Sequence, residues 1–190
     1  MNRVRAAAER CGFSRTAPLR PEALAFRQEV RDMCAANRCG NYGKSWSCPP
    51  ACPSLEEMRQ RAAGFGQGLL VQTVVQLGDA FDFEGMMAGE RRHRDRFRQL
   101  AGLLREQLGE GAFLPMGAGV CGRCAACTCP GAPCRFPEER IISMEAYGLL
   151  VSQVCESCEI PYYYGPGTVA YVSCVLFNSH NPEPGANQNK

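Results

Sequence analysis

The segment Val120-Cys121-Gly-Arg-Cys124-Ala-Ala-Cys127-Thr-Cys129-Pro-Gly-Ala-Pro-Cys134-Arg-Phe-Pro concentrates thiols at a spacing with chemical meaning. Cysteines at i, i+3 and i+6, with another beyond a proline-rich turn, suit a cuboidal iron–sulfur cluster, [4Fe–4S], held by four thiolates. A chain wrapping one corner of a cube offers a thiolate at every third residue, and the small Gly122, Ala125 and Ala126 let the backbone approach. The fourth ligand has to come from another direction. Cys129 lies only two residues past Cys127, beside a corner already taken. Cys134 lies past Pro130, Gly131 and Pro133, far enough for the chain to turn toward the remaining iron. The expected set is therefore Cys121, Cys124, Cys127 and Cys134. Zinc is the alternative cofactor, but it prefers two separated Cys-x2-Cys knuckles around a tetrahedron.

A second group of thiols, Cys34-x4-Cys39-x8-Cys48-x3-Cys52, occupies a loop with Gly40, Gly43, Pro49, Pro50 and Pro53. Four thiols within one run of turns predict a second metal site, although the spacing fits no standard template. The Cys-x3-Cys-x2-Cys pattern of radical chemistry begins at Cys48 and fails at Leu55. Tyr42 and Trp46 are placed either to shield a metal centre or to pack. A four-thiolate cubane is anionic, and Arg38, Lys44, Arg123 and Arg135 each stand within a few residues of an expected ligand. Cations there favour the reduced, more negative form and raise the potential.

Other patterns carry less. Gly117-Ala-Gly119-Val-Cys-Gly122 satisfies G-x-G-x-x-G, but a dinucleotide loop must open a helix, and Arg-Cys-Ala-Ala-Cys-Thr-Cys-Pro does not. Cys155-x2-Cys158 closes an expected helix, whereas a redox dithiol starts one. That pair, with Cys11 and Cys174, reads as small buried hydrophobes. His93 and His180 have no convergent nucleophile or carboxylate and are expected at the surface. The Arg91–Arg98 run, flanked by Glu84, Glu90 and Glu106, reads as a solvated helix face.

The elements that must position these thiols follow from periodicity and punctuation. A helix to Arg10 closes at Cys11-Gly12, and a strand covers Phe13–Leu19. Ser54 with Glu57 forms a capping box that starts a helix over Leu55–Ala63. Leu69–Leu77, β-branched between Gly68 and Gly78, is the strongest strand. Phe97, Leu100, Leu104 and Leu108 set the apolar stripe of a helix over Phe83–Leu108. Ala112–Met116 forms a strand leading into the second loop. A helix over Ser143–Cys155 is expected, then a hairpin of Pro161–Tyr164 with Thr168–Phe177. The class is α/β or α+β: a small mixed or antiparallel sheet with flanking helices and two cysteine-rich metal-binding loops. One metal-binding domain is expected over 1–177, with a disordered polar tail over 178–190.

Composition narrows the function classes. The chain has 190 residues, 45% hydrophobic and 21% charged, with thirteen cysteines. An odd count in two dense groups, without an apolar leader after Met1, argues against a secreted disulfide scaffold and for a cytoplasmic protein with reduced thiols. A net charge of +2 predicts neither a nucleic-acid nor a membrane footprint.

Cys34-Ala-Ala-Asn37-Arg-Cys39-Gly-Asn-Tyr42-Gly43-Lys44-Ser-Trp46-Ser-Cys48-Pro-Pro resembles the signature of a prokaryotic family of predicted metal-binding proteins, domain-of-unknown-function family 2284. The resemblance continues through Phe81-Asp82-Phe83-Glu84-Gly85-Met86 and the Cys121–Cys127 triplet. It extends over Pro133-Cys134-Arg135-Phe136-Pro137, Ser143-Met-Glu-Ala-Tyr-Gly148 and Tyr162–Phe177. It implies metal binding and no particular reaction. Met58 stands where members of that family often carry a further cysteine, which leaves the fourth ligand of the first site open at Cys52. Three functions are compatible with these readings. The first is an iron–sulfur protein, with one or two clusters, that passes electrons to a redox partner protein. The others are a structural zinc module and an enzyme built on an open-site cluster.

Overall fold

The computed structural model describes residues 1–178. Five helices surround an open five-stranded mixed sheet of order β1-β2-β5-β3-β4. The strands are β1 (Arg15–Leu19), β2 (Gln67–Gln76), β3 (Phe113–Gly117), β4 (Ile142–Ser143) and β5 (Thr168–Phe177). β5 runs antiparallel to both of its neighbours, pairing Gln67 to Gln76 of β2 with Phe177 to Thr168 and Phe113 of β3 with Phe177. The short β4 is parallel to β3 through Met116↔Ile142.

Both faces of the sheet are covered, which is why β2 is nearly apolar throughout rather than alternating. On one face Leu69, Val71, Val175 and Phe177 pack under helices α1 (Asn2–Arg10) and α4 (Phe83–Leu108). On the other, Leu70, Val172, Cys174 and Leu176 meet α3 (Leu55–Ala63) and α5 (Val151–Ser157). A short α2 (Gln28–Asp32) leads into the first cysteine loop.

Local chemistry sets the helix ends. Ser54 Oγ accepts the Glu57 N–H at 3.2 Å while Glu57 Oε2 accepts the Ser54 N–H at 2.7 Å, the reciprocal cap expected from the sequence. Asp82 starts α4 by accepting the N–H groups of Gly85 (2.8 Å) and Gly78 (3.0 Å), and these bonds hold its carboxyl below the usual range.

Three expectations are corrected. No helix begins at Ser143: the chain turns there, with Ser143 Oγ accepting the Ala146 N–H at 3.1 Å, and α5 starts only at Val151. Gly148 enforces the break, since its φ is +75° and an added Cβ would stand 2.6 Å from the Arg27 carbonyl oxygen. Pro161–Tyr164 is not a hairpin strand; the Pro161 carbonyl and the Tyr164 hydroxyl instead bind the Gln72 side chain at 2.9 and 2.6 Å. His93 is not at the surface. It is 1% exposed, with Nδ1 2.9 Å from Thr73 Oγ1 and Nε2 2.8 Å from Ser173 Oγ, on the same inward stripe as Phe97 and Leu100. Burial lowers its pKa to about 3, so the ring is neutral.

His180, and the expected tail beyond Asn178, lie outside the described residues. Asn178 itself is tied back, bonding the Gly66 N–H and the Gly64 carbonyl at 2.8 Å each. Among the described residues no helix is long and apolar enough to cross a membrane.

Candidate metal centre

The two cysteine loops, far apart in sequence, are fastened to each other. The Cys121 N–H donates to Ser47 Oγ at 3.1 Å, and Trp46 Nε1 donates to the Ala132 carbonyl at 3.0 Å. Cys129 Sγ donates to the Gly43 carbonyl at 3.6 Å. Helix α4 braces the second loop from below: Arg98 bonds the Cys121 carbonyl, and Arg94, paired with Glu90 at 3.0 Å, lies against Gly122. The Arg-rich run is thus not wholly a solvated face. Among the described residues all thirteen cysteines are free thiols.

Cys121, Cys124, Cys127 and Cys134 line one cavity of about 310 Å³ together with Ser45 and Trp46 of the first loop. Cys129 takes no part in this wall, being turned to Gly43. Burial opposes ionisation of Cys127. The N–H groups of Cys129, Trp46 and Thr128, with the Ser45 hydroxyl, outweigh it and hold the thiol below its usual pKa. Arg123 and Lys44 also line the cavity. Arg123 is oriented by Glu139 at 2.7 Å and by the Phe136 ring, whose centroid is 4.2 Å away. Arg135 is absent from the wall and bonds the Ala126 carbonyl at 3.0 Å.

The first loop is arranged differently. Cys34, Cys39 and Cys48 line a neighbouring cavity of about 680 Å³ with Arg38 and Tyr42. Asn41 and Val120 belong to both walls, so the two cavities adjoin. Burial pushes the Cys48 thiol up to about 11 against the opposing Ser47 hydroxyl, and raises Cys34, with Glu145 and Cys39 adding to the effect. Cys52 sits in the hydrophobic core, 5% exposed. Arg31 lies over it, 3.5 Å from its Sγ and carbonyl, 2.7 Å from the Pro53 carbonyl and 3.8 Å from the buried Met58 Sδ.

Among the described residues, no three His, Cys, Asp or Glu side chains are gathered tightly enough to grip a single metal ion. The donor chemistry nevertheless fits a metal: soft thiols line two adjoining cavities, and metal binding would draw off their protons against the raised pKa at Cys34 and Cys48. Cys11, Cys155, Cys158 and Cys174 are buried in the cores. Sequence spacing did not foresee Ser45, Ser47 and Trp46 as walls of the second loop's cavity, nor Arg31 and Glu145 beside the first. The Ser-Trp-Ser run between Lys44 and Cys48 was the one local sign, since alternating small hydroxyls and an indole have no reason to recur in a plain linker.

No curated protein and no solved structure matches the chain. A family model described as "predicted metal-binding protein (DUF2284)" matches residues 17–177, from β1 through the last strand and including both cysteine loops. The chain belongs to the DUF2284 family of predicted metal-binding proteins.

Proposed function

We propose that this protein holds a [4Fe–4S] cluster on Cys121, Cys124, Cys127 and Cys134 and a second on the first loop, and passes electrons to a partner protein. The observation that carries the reading is one cavity walled by all four thiols of the Cys-x2-Cys-x2-Cys…Cys run, with Cys129 turned away. Backbone N–H groups directed at Cys127 are the donors a cluster thiolate uses, and Arg123 and Lys44 supply charge that favours the reduced state. Cys127 is exposed, which leaves one edge of the site open to a docking partner. Trp46 and Ser47 of the first loop hold the second loop in place, so clusters on the two loops would be neighbours.

The test is iron, acid-labile sulfide and zinc per chain in protein purified without oxygen. Roughly eight irons and eight sulfides, with broad visible absorption bleached by dithionite, are expected for two cubanes. Zinc without sulfide would replace this reading with a structural zinc module.

A further inference from the structure

The short β4 pairs only with Met116 and Gly117, and the earlier part of β3 borders a separate cavity of about 180 Å³. Three elements bring cations to its wall: Arg61 from the last turn of α3, Arg105 from the last turn of α4, and Arg140 just ahead of β4. Arg105 is already committed, to Glu110 at 2.6 Å and to the Glu138 carbonyl at 2.8 Å. Arg61 and Arg140 make no ion pair or hydrogen bond among the described residues. With the Arg105–Glu110 pair neutral, two guanidiniums stand against the single carboxylate of the exposed Glu138, and the wall is net positive. The remaining polar group is Tyr147 of the Ser143–Gly148 turn, 1% exposed, with its ring packed in the core. Its hydroxyl likewise has no hydrogen-bond partner among the described residues, and both free guanidiniums lie within electrostatic reach of it. Burial pushes the Tyr147 pKa up to about 12, so the hydroxyl keeps its proton for donation.

We propose that this cavity is an oxyanion site, in which Arg61, Arg140 and the Tyr147 hydroxyl bind phosphate, free or as the end group of a larger molecule. None of the cysteines belongs to its wall, so the site stands apart from the iron–sulfur reading above. A buried donor without a partner is costly, and an anion oxygen supplies the partner that the Tyr147 hydroxyl lacks. Guanidinium forks match the oxygens of phosphate, and two of them on different elements suit a dianion with oxygens in several directions. The volume is below the roughly 300–1,000 Å³ of a pocket for a drug-sized ligand, so what it encloses is no larger than such a group. A role for the Ser143–Gly148 motif follows: the Tyr147 ring anchors the turn in the core, and its hydroxyl serves the ligand.

The experiment is calorimetric titration of inorganic phosphate, and separately of glycerol 3-phosphate, into the full chain purified without oxygen. Wild type is compared with Arg61→Gln, Tyr147→Phe and Arg92→Gln, with metal content measured on each. Arg61→Gln and Tyr147→Phe should each weaken binding by about tenfold or more, as for loss of a hydrogen bond to a charged group. Arg92→Gln removes an exposed cation elsewhere on α4 and should bind as wild type does. Tighter binding of glycerol 3-phosphate than of phosphate assigns the end group of a larger molecule; equal or weaker binding assigns the free ion. Absence of binding of both by the wild type overturns the proposal. So does binding that follows metal content and ignores Arg61 and Tyr147, or equal weakening in Arg92→Gln. Should circular dichroism show Tyr147→Phe unfolded, Arg61→Gln, at an exposed position, decides alone.

Discussion

The second cysteine loop turns four thiols into one cavity; the first turns three thiols into its cavity and sends the fourth into the core. Thiol density is similar, so the difference lies in what the backbone allows. Around Cys121–Cys127 the intervening Gly122, Ala125 and Ala126 leave the chain free to wrap a centre, and the loop is held mainly by contacts from outside it. The first loop is pinned where Arg31 clamps Cys52 and Pro53 just ahead of α3. A thiol beside a helix start is placed by the helix, not by a metal. Cysteine spacing thus foretells which thiols share a cavity when the residues between are small and the segment is otherwise unanchored.

The strongest way to break this contrast is ligand removal. Cys134→Ser should abolish the second cluster, a loss of roughly four irons per chain, while Cys129→Ser leaves iron and spectrum intact because that sulfur is turned to the Gly43 carbonyl and does not line the cavity. Iron and sulfide analysis reads both; loss of iron from Cys129→Ser alone would move the ligand and dissolve the distinction.

That comparison also marks what the sequence discloses. Helix α4 and capped α3 were legible to the residue, because stripe and cap are written within a few positions. Spacing grouped the four thiols of the second loop, and all four line one cavity. The turn at Ser143 was not: Met144, Glu145 and Ala146 after it favour helix, and the decision belongs to Gly148 pressed against the Arg27 carbonyl, 121 positions away along the chain. His93 was misjudged by its arginine neighbours, although its place four residues before Phe97 put it on the buried stripe. The interlocking of the loops, such as Trp46 with Ala132, joins residues with a separation of 86 and leaves no local trace.

The next test concerns the platform on which both loops stand. His93 is neutral in the fold because burial lowers its pKa from 6.5 to about 3. Between those values the unfolded chain takes up a proton that the folded chain does not. This part of the stability is fully present above the unfolded pKa and is lost as pH falls toward the folded one, by about 1.4 kcal/mol per pH unit at most. Urea denaturation of metal-free protein across that range should show the slope, and His93→Gln should flatten it. Since α4 also carries Arg94 and Arg98, the acid-weakened protein should expose the second loop to protease before the first.

A smaller effect is expected from Arg31→Ala, which strips the Pro53 and Cys52 carbonyls of their donor at a cost of about 1–3 kcal/mol. Denaturation should report that loss, with the visible spectrum of the second cluster unchanged; a change there would mean that the loops are not separately anchored.

The smallest expected effect is on potential. Arg123 lines the cavity and responds to Cys124 and Cys121, whereas Arg135 is turned to the Ala126 carbonyl. Arg123→Ala should lower the midpoint of the second cluster, since a nearby cation stabilises the more negative reduced form, and Arg135→Ala should lower it less. A redox titration giving the reverse order would return Arg135 to the place that sequence proximity suggested.

The strand at the centre of the sheet, β5, is also the last to be made. In chain order, β1 and β2 form an antiparallel pair lacking a partner on one side, and the β3–β4 pair follows, with nothing joining the two halves until Thr168–Phe177. Both cysteine loops are therefore translated, and their thiols exposed, before the element that sets them side by side. The two loops are therefore set side by side only once β5 has paired with β2 and β3, and until then the fold gives their thiols no protection.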